Sequence, residues 1–380
     1  MNDNKQLNER LCFYSLLHKS EKPLFSIDLL FREINSKLEW MMYSGTLRGA
    51  IPLNKDDQSL FDGIEDFIEY RKELLSRVGL DYPFEIIVSS PKLHIGEYYP
   101  NIFRPEFSSK LQQKHFVKDA SPLLENFDEP AIYNFEEYSD YVRQLDIILN
   151  ELNNVFKVIA PSKDNLKSYG NSIRNIIVLA CTEIDSMMRN VLVRNGYCKD
   201  DDFLTMNNYR ILNEAMRLNE YSVSLHDYFN LGEFFPFKEW NVPNGSLTWY
   251  NAYNNVKHRR IEHFAEANLE NAIRAVLGYA VFLVAQYGCE NSLWKRKIDD
   301  VIKIRKRPQW NLEDFYIPFT TNIEPKAVNY PFPQKEIEKS ETRAKLKTIN
   351  GLLKNKATKA DILQSIDELK ALVEKDCSDS

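Results

Sequence analysis

The sequence has few cysteines and few glycines, and each shortage excludes a class of structure. Its 380 residues include 5 cysteines and 12 glycines. Because the number of cysteines is odd and no C-x-x-C pair occurs, free thiols in a reducing compartment are favoured over disulfides or a zinc site. Few glycines and an aromatic content of 12% favour helical packing over glycine-rich loops or barrels. The cysteines are Cys12, Cys181, Cys198, Cys289 and Cys377.

Long apolar runs are also missing. The most apolar run, from Ala275 to Ala285, is much shorter than the roughly 20 residues that cross a membrane, so it predicts a buried core helix. The amino-terminal stretch MNDNKQLNER is polar and charged, unlike a signal peptide. We therefore expect a soluble, cytoplasmic protein without a membrane partner.

Common catalytic motifs are absent too. The sequence contains no G-x-x-x-x-G-K-[ST], G-x-G-x-x-G, H-E-x-x-H or G-x-S-x-G pattern. ATP hydrolysis on a P-loop, hydride transfer on a Rossmann fold and α/β-hydrolase chemistry therefore have no support. His258 with Glu262 or His263 lacks a third metal ligand, so we expect neither a metal nor a cofactor. The net charge of −6 argues against a protein coated in nucleic acid but allows a local basic cleft.

Hydrophobic periodicity predicts a mainly α protein with four regions. Residues 1–128 are predicted to be mixed α/β, with helices at Leu24–Tyr43 and Gln58–Val78 and two short strands within Pro83–Tyr99. Residues 134–290 are predicted to form a helical bundle. Its helices are expected from residue 135 to a stop at Pro161, from residue 162 to a stop at Gly196, around Met206–Leu218, and from Leu247 to Gly288.

The remaining two regions differ in composition from the bundle. Residues 291–333 are rich in proline and aromatic residues, with strands predicted at Val301–Lys306 and Phe315–Phe319. Residues 334–380 are predicted to form two helices, the second capped by Thr358. Its narrow apolar stripe either docks on the body of the protein or pairs with a helix of a partner protein. The stripe consists of Ile362, Ile366, Leu369 and Leu372.

The segment YNNVKHRR combines the side chains that metal-free RNA cleavage requires. Asn254 and His258 lie four residues apart and so share a helix face, with Lys257 and Arg259 beside them. An imidazole can take a proton from a 2′-hydroxyl or give one to a leaving oxygen, and cations stabilise the charge that grows on the phosphate. We therefore name His258, Asn254, Lys257 and Arg259 as candidate catalytic residues.

A second group of residues is expected to bind RNA. Aromatic and guanidinium planes stack on unpaired bases, and seven of the thirteen residues in KRKIDDVIKIRKR are cationic, which suits a nucleic-acid backbone. The alternative is that this run is an ordinary solvated face. The candidate RNA-binding residues are Tyr250, Arg260, Lys295, Arg296 and Lys297.

The helix SIRNIIVLACTEIDSMMRNVL, followed later by YNNVKHRR, resembles the HEPN domains of prokaryotic toxins, RNA-targeting nucleases and anti-phage defence proteins. The resemblance covers roughly residues 134–290 and implies an all-helical bundle, a homodimer and a nuclease motif of Arg, a polar residue and His. Asn254 matches the polar position and His258 the His, whereas Tyr253 stands where the family has Arg. The resemblance thus implies either a metal-independent endoribonuclease of a defence or toxin–antitoxin system, or a non-catalytic module that binds RNA, a nucleotide or a partner protein.

Structural roles are open for the same residues. His258 could bridge to a carboxylate such as Glu183, and the aromatic residues Trp249, Tyr250 and Tyr253 could belong to the core rather than to a stacking surface. Cations at a helix start oppose the helix dipole, which favours a binding role unless the helix begins earlier, near Ser246.

Overall fold

The computed structural model describes most of residues 134–333 and selected segments on either side. Within these residues the protein is mainly helical, as the sequence predicted. The described residues are 10–18, 28–34, 37–42, 47–52, 66, 69, 70, 73, 76, 77, 84–89, 92–94, 97–105, 134–289, 292–314, 316, 325–333, 345, 346, 348–350, 352, 353 and 358–378.

The amino-terminal region contains an antiparallel sheet. The helix predicted at Leu24–Tyr43 is wrong, because two paired strands occupy this stretch, with Ile34 opposite Lys37. Short apolar runs fit a helical and an extended period alike, and cross-strand pairing decides between them. The strands are β1 (Arg10–His18), β2 (Asp28–Ile34), β3 (Lys37–Met42), β4 (Leu47–Pro52) and β5 (Phe84–Ser89), in the order β4-β3-β2-β1-β5.

Two further predictions for this region agree with the structure. The described residues within Gln58–Val78 are helical, namely Asp66, Glu69, Tyr70, Glu73, Ser76 and Arg77. Two strands lie within Pro83–Tyr99, but they do not pair with each other. The first is β5, which pairs with β1, and the second is β6 (Glu97–Tyr98), which pairs in parallel with a strand near residue 326.

Three long helices form the centre of the protein. They are α1 (Phe135–Phe156), α2 (Asn171–Arg194) and a later helix, Leu269–Tyr287, and each packs against the other two. The side chain of Asn134 caps α1 by accepting a hydrogen bond from the backbone N–H of Glu137 at 3.2 Å. The first helix ends five residues before the predicted stop at Pro161, whereas the second ends just before Gly196, whose positive φ of 68° terminates it as predicted.

Between these helices the chain forms short elements. The helix predicted around Met206–Leu218 is divided into α3 (Met206–Tyr209) and α4 (Leu212–Met216), which ends at Arg217 in a left-handed conformation. The strand β7 (Ser222–Leu225) follows and is buried throughout.

The stretch Leu247–Gly288 is not the single helix that the sequence predicted. It contains α5 (Thr248–His258), the short α6 (Arg260–His263) and α7 (Leu269–Tyr287). The helix is interrupted at Arg259, and α7 begins only where the side chain of Asn268 accepts a hydrogen bond from the backbone N–H of Asn271 at 3.1 Å. The break places the KHRR segment at an exposed corner between two helices.

Helix α7 is apolar on every side, and every residue from Ala275 to Tyr287 is buried. Among the described residues this is the one helix whose length and composition would suffice to cross a membrane, and 83% of its apolar window is buried inside the protein. Its apolar surface is covered by α1, α2, α5 and β7, so it is the core helix that the sequence predicted.

The carboxyl-terminal regions follow α7. They begin with α8 (Ser292–Lys297) and β8 (Ile302–Lys306), which pairs antiparallel with β7 close to the predicted position. The strand β9 (Lys326–Ala327) is the partner of β6. Most of the strand predicted at Phe315–Phe319 lies outside the described residues.

The last helix, α9 (Lys359–Ser378), begins as predicted after Thr358, whose hydroxyl oxygen accepts a hydrogen bond from the backbone N–H of Asp361 at 3.3 Å. Lys345 of the preceding helical segment forms an ion pair with Glu368 of α9, so these two segments contact each other. Along the predicted stripe Ile362, Ile366 and Leu369 are half-buried, while the side chain of Leu372 lies outside the described residues.

Gly245, just before α5, is expected to be essential for the position of that helix. A Cβ atom at this position would lie 1.6 Å from the backbone carbonyl oxygen of Glu239. Because a backbone atom cannot rotate away, Gly245→Ala should lower the free energy of unfolding by about 3 kcal/mol or more in a urea titration. The matched control is Gly170→Ala, whose Cβ would meet nothing within 4 Å and should cost under about 1 kcal/mol. Equal losses in the two variants would contradict this expectation.

Candidate functional site

Helix α5 separates its aromatic residues from its polar ones. Trp249, Tyr250 and Tyr253 face the core and are at most 6% exposed, and the indole N–H of Trp249 donates to the backbone carbonyl of Pro236 at 2.8 Å. Packing is therefore the role of these rings. The RNA-stacking role expected of Tyr250 is wrong for this structure, because its ring is covered and its hydroxyl donates to Asp185 at 2.6 Å.

The other candidate residues of this segment are brought together on the surface. Asn254, Lys257, His258, Arg259 and Arg260 are all exposed, at the carboxyl-terminal end of α5 and in the turn after it. Within the described part of the chain, neither Asn254 nor His258 is hydrogen-bonded through its side chain, and none of the three cations has a carboxylate partner. The bridge from His258 to Glu183 that the sequence left open is not formed.

Lys257 is held in place by a neighbouring tyrosine, Tyr253. Its ammonium group donates to the hydroxyl of buried Tyr253 at 2.8 Å and lies 4.9 Å from the centre of that ring. The hydrogen bond to Tyr253 is the main reason why the pKa of Lys257 is raised above its ordinary value. The lysine is therefore a fixed cation in the last turn of α5.

The polarity of α5 changes the interpretation of its charges. The helix starts at Thr248, as expected if it began near Ser246, so Lys257 and His258 lie in its last turn. Cations are stabilised there by the negative end of the helix dipole. The argument that cations at a helix start indicate binding therefore does not apply. Glu262 does not continue the helix face of Asn254 and His258, because the helix breaks at Arg259.

A second imidazole lies one turn beyond the break. The Nδ1 atom of His263 is 2.6 Å from the Oε1 atom of Glu266, and the Oε2 atom of Glu266 accepts a hydrogen bond from Asn255 of α5 at 2.9 Å. Sequence reasoning considered His263 only as a metal ligand and missed this network. The available signal was a histidine followed three residues later by a glutamate, which a single helical turn brings into contact.

A half-buried carboxyl lies behind α5. Asp185 of α2 accepts the hydrogen bond from Tyr250, and burial raises the pKa of this carboxyl, while Tyr250, Lys257 and Arg189 act in the opposite direction. The sequence signal was an acidic residue beside Ile184 of the apolar repeat of α2. Its hydrogen bond links α2 to α5.

The cationic residues after α7 lie elsewhere. Lys295, Arg296 and Lys297 are exposed on α8, and Lys297 forms an ion pair with Asp146 of α1 at 3.2 Å. Helix α7 lies between them and the KHRR corner in the chain. Its 19 residues rise by 1.5 Å each, so the helix is about 28 Å long. The structure therefore does not join the two basic segments into one continuous surface.

A cleft of about 250 Å³ opens between the end of α1 and the start of α2. Glu151 and Asn154 line one side, and Tyr169 lines the other. The ring of Tyr169 is more than half exposed and contacts Phe264 edge-on, with 5.7 Å between the ring centres. Phe264 also lies under the guanidinium of Arg260. The cleft thus adjoins the segment that carries His263.

The described residues offer no metal site, since no three His, Cys, Asp or Glu side chains lie together there. Cys181 and Cys289 are buried. Burial raises the pKa of Cys181 well above its ordinary value and that of Cys198 to about 11, so the thiols of Cys181 and Cys198 are poor nucleophiles at neutral pH.

No protein-family model, curated protein or solved structure matches this chain. The function of the protein has therefore to be inferred from the geometry of the described residues.

The stability contributed by Asp185 should decrease as the pH rises. Because its pKa is raised in the folded protein, the fold favours the protonated carboxyl. This contribution is complete below the pKa of an unfolded aspartate, about 4, and is lost as the pH rises through the raised value. Asp185→Asn keeps an oxygen that accepts the hydrogen bond from Tyr250 but carries no charge. Its stability relative to wild type should therefore improve with rising pH in urea titrations.

The matched control for this titration is Asp164→Asn, which changes an exposed carboxyl. Its stability relative to wild type should change little over the same pH range. If the difference between Asp185→Asn and wild type is independent of pH, the carboxyl is not protonated preferentially in the fold.

Proposed function

We propose that the protein is a metal-independent endoribonuclease whose reactive centre is the exposed corner at His258. The observation that carries this proposal is an exposed imidazole among three exposed cations, Lys257, Arg259 and Arg260, with no carboxylate partner in the described part of the chain. Cations without a carboxylate partner remain available to a phosphate, and an imidazole that no described residue hydrogen-bonds remains available to exchange protons.

The chemistry follows from these residue types. Cleavage of RNA without a metal needs a group that moves protons and positive charge beside the phosphate. His258 supplies the first, while Lys257 and Arg259 supply the second, and exposed Asn254 lies one turn before His258 to orient it or the phosphate. Arg260 contacts the substrate backbone from the next turn. The distant residues Lys295, Arg296 and Lys297 would be reached only by a long RNA.

The HEPN-like character of the bundle is part of the proposal. Two features support it: α5, which carries the motif, packs against the long helix α2, and Lys257 is held where a cation is missing from the motif. A role in prokaryotic defence or a toxin–antitoxin pair is proposed from the resemblance alone. The carboxyl-terminal helix remains a candidate contact for a partner protein.

The alternative is a non-catalytic HEPN-like module that binds RNA, a nucleotide or a protein. Two observations favour it. Tyr253, in the position of the motif's arginine, is 2% exposed and cannot contact a substrate, and His258 is not oriented by a side-chain hydrogen bond with any described residue. In this case the cations would bind a ligand that another protein processes.

His258→Ala should abolish RNA cleavage. Purified wild type and variant are incubated with a mixed pool of structured RNAs in the presence of EDTA, and the cleavage products are sequenced. Loss of an acid–base group should lower the rate by about 100-fold or more. The control is His94→Ala, which removes an exposed histidine from another part of the protein and should leave cleavage unchanged.

Two other outcomes would contradict a nuclease whose reactive centre is His258. Equal cleavage by wild type and His258→Ala would place the activity at another site or in a contaminant. If wild type binds RNA without cutting it, and if Lys257→Gln weakens this binding, the module is the correct function.

Expression in bacteria provides a second readout, since a toxic nuclease should lose its toxicity with His258→Ala.

We also propose a homodimer that uses the same corner. Ile261, between Arg260 and Glu262, is 97% exposed, and burying an isoleucine contributes about 1.5–3 kcal/mol. Sedimentation of the wild type should therefore reveal a dimer that Ile261→Lys weakens by about tenfold or more in dissociation constant. A wild-type protein that sediments as a monomer at every concentration would exclude the dimer.

A further inference from the structure

We infer that His263, held by Glu266, is a second catalytic residue of this site and acts as the general base for the 2′-hydroxyl of RNA. This inference rests on the proposed nuclease function and deepens it by dividing the proton transfers between two histidines. In this division His258 is the general acid that protonates the leaving oxygen.

The first argument is the way in which the imidazole of His263 is fixed. The Oε1 atom of Glu266 lies 2.6 Å from Nδ1 of the ring, and a carboxylate in this position accepts the Nδ1–H hydrogen bond. The ring therefore carries its lone pair on Nε2. When Nε2 takes a proton, the adjacent carboxylate stabilises the resulting positive charge.

The second argument is that Glu266 is itself held from two sides. Its Oε2 atom accepts a hydrogen bond from Asn255 of α5 at 2.9 Å, and its backbone carbonyl accepts one from Asn271 of α7 at 2.9 Å. Glu266 is thus anchored to both helices that border the break, through its carboxylate to α5 and through its backbone to α7. An amide thus orients the carboxylate, and the carboxylate orients the imidazole. Such an arrangement fixes a base more firmly than a lone surface ion pair does.

The third argument is access. The side chain of His263 is 29% exposed, and within the described part of the chain its Nε2 atom has no hydrogen-bond partner. The backbone N–H of His263 donates to the carbonyl of Arg259 at 3.1 Å, so the ring is one helical turn from the residue after His258. The two histidines therefore lie on either side of the break at Arg259, with the cations Arg259 and Arg260 between them in the chain.

The two histidines account for both proton transfers of the cleavage step. Nε2 of His263 takes the proton of the 2′-hydroxyl, and the 2′-oxygen attacks phosphorus to form a new P–O bond. The P–O5′ bond breaks, and its electron pair goes to the 5′-oxygen, which receives a proton from His258. The products are a 2′,3′-cyclic phosphate and a 5′-hydroxyl, and proton exchange with water restores both rings.

The two roles can be separated with two substrates, a dinucleotide and a ribonucleotide ester that releases p-nitrophenolate. A nitrophenolate leaves without being protonated, so only the base is needed for the second substrate. His263→Ala should lower kcat about 100-fold or more on both. His258→Ala should lower kcat on the dinucleotide to a similar extent but stay within about tenfold of wild type on the nitrophenyl ester.

Glu266→Gln tests the positioning residue without removing the ring. Glutamine still accepts the Nδ1–H hydrogen bond, but it lacks the charge that stabilises the imidazolium. The expected result is a kcat lower by about tenfold or more with little change in KM, because the substrate still binds while the proton transfer is slower. The matched control is Glu262→Gln, an exposed carboxylate of the same short helical segment, which should change neither quantity.

The outcomes distinguish this inference from the function on which it rests. If His258→Ala is inactive on the dinucleotide while His263→Ala cuts like wild type, the inference is overturned and the nuclease stands. Rescue of His263→Ala, rather than His258→Ala, by the nitrophenyl ester would also overturn it by reversing the roles. If the wild type cuts neither substrate, the nuclease and the inference fail together.

Discussion

The structure depends on the need to bury a helix that is apolar on all its faces. From Ala275 onward helix α7 has no polar face to present to water, and each large apolar side chain that it buries contributes about 1.5–3 kcal/mol. The neighbouring elements α1, α2, α5 and β7 are each arranged around it. The indole of Trp249 packs against α7 at Gly278, where an added Cβ would lie 3.2 Å from the ring. A small residue in the middle of the core helix thus sets how closely α5 approaches.

The same constraint determines which side of α5 reaches solvent. Trp249, Tyr250 and Tyr253 pack against α7 and α2. The polar residues spaced four apart on the opposite side of α5 therefore face solvent. The exposed corner is therefore a consequence of core packing, and so is the break after His258. Helix α5 must end before the chain can turn and begin α7, so the residues between them form only the short helix α6 and the turns beside it. The residues of the exposed corner are therefore positioned by the core but are not buried in it.

The parts of this arrangement that could be predicted are those that depend on local periodicity. The helices α1, α2 and α9 follow from repeated apolar spacing, and the capping role of Thr358 follows from its residue type. The strands β2 and β3 could not be separated from a helix, because their pairing is not local. The division of Leu247–Gly288 was missed for a related reason: residues after Arg259 keep helix-forming composition, and only their contacts with Tyr169 and Asn255 impose the turn.

For the candidate site, the sequence could propose residue types but not their partners. It placed Asn254 and His258 on one helix face with Lys257 beside them, yet it could not show that Tyr250 is buried against Asp185 or that α7 separates Lys295 from the corner. The helix dipole already stabilises a cation such as Lys257 at this end of α5, so the proposed catalysis depends on the exposed imidazole among the cations. The network of His263, Glu266 and Asn255 is different. Ordering three side chains costs conformational entropy, and a partly exposed pair contributes little stability. Because the hydrogen bond from Asn255 to Glu266 also holds the turn after α5, the inferred general base uses a geometry that the fold has already ordered.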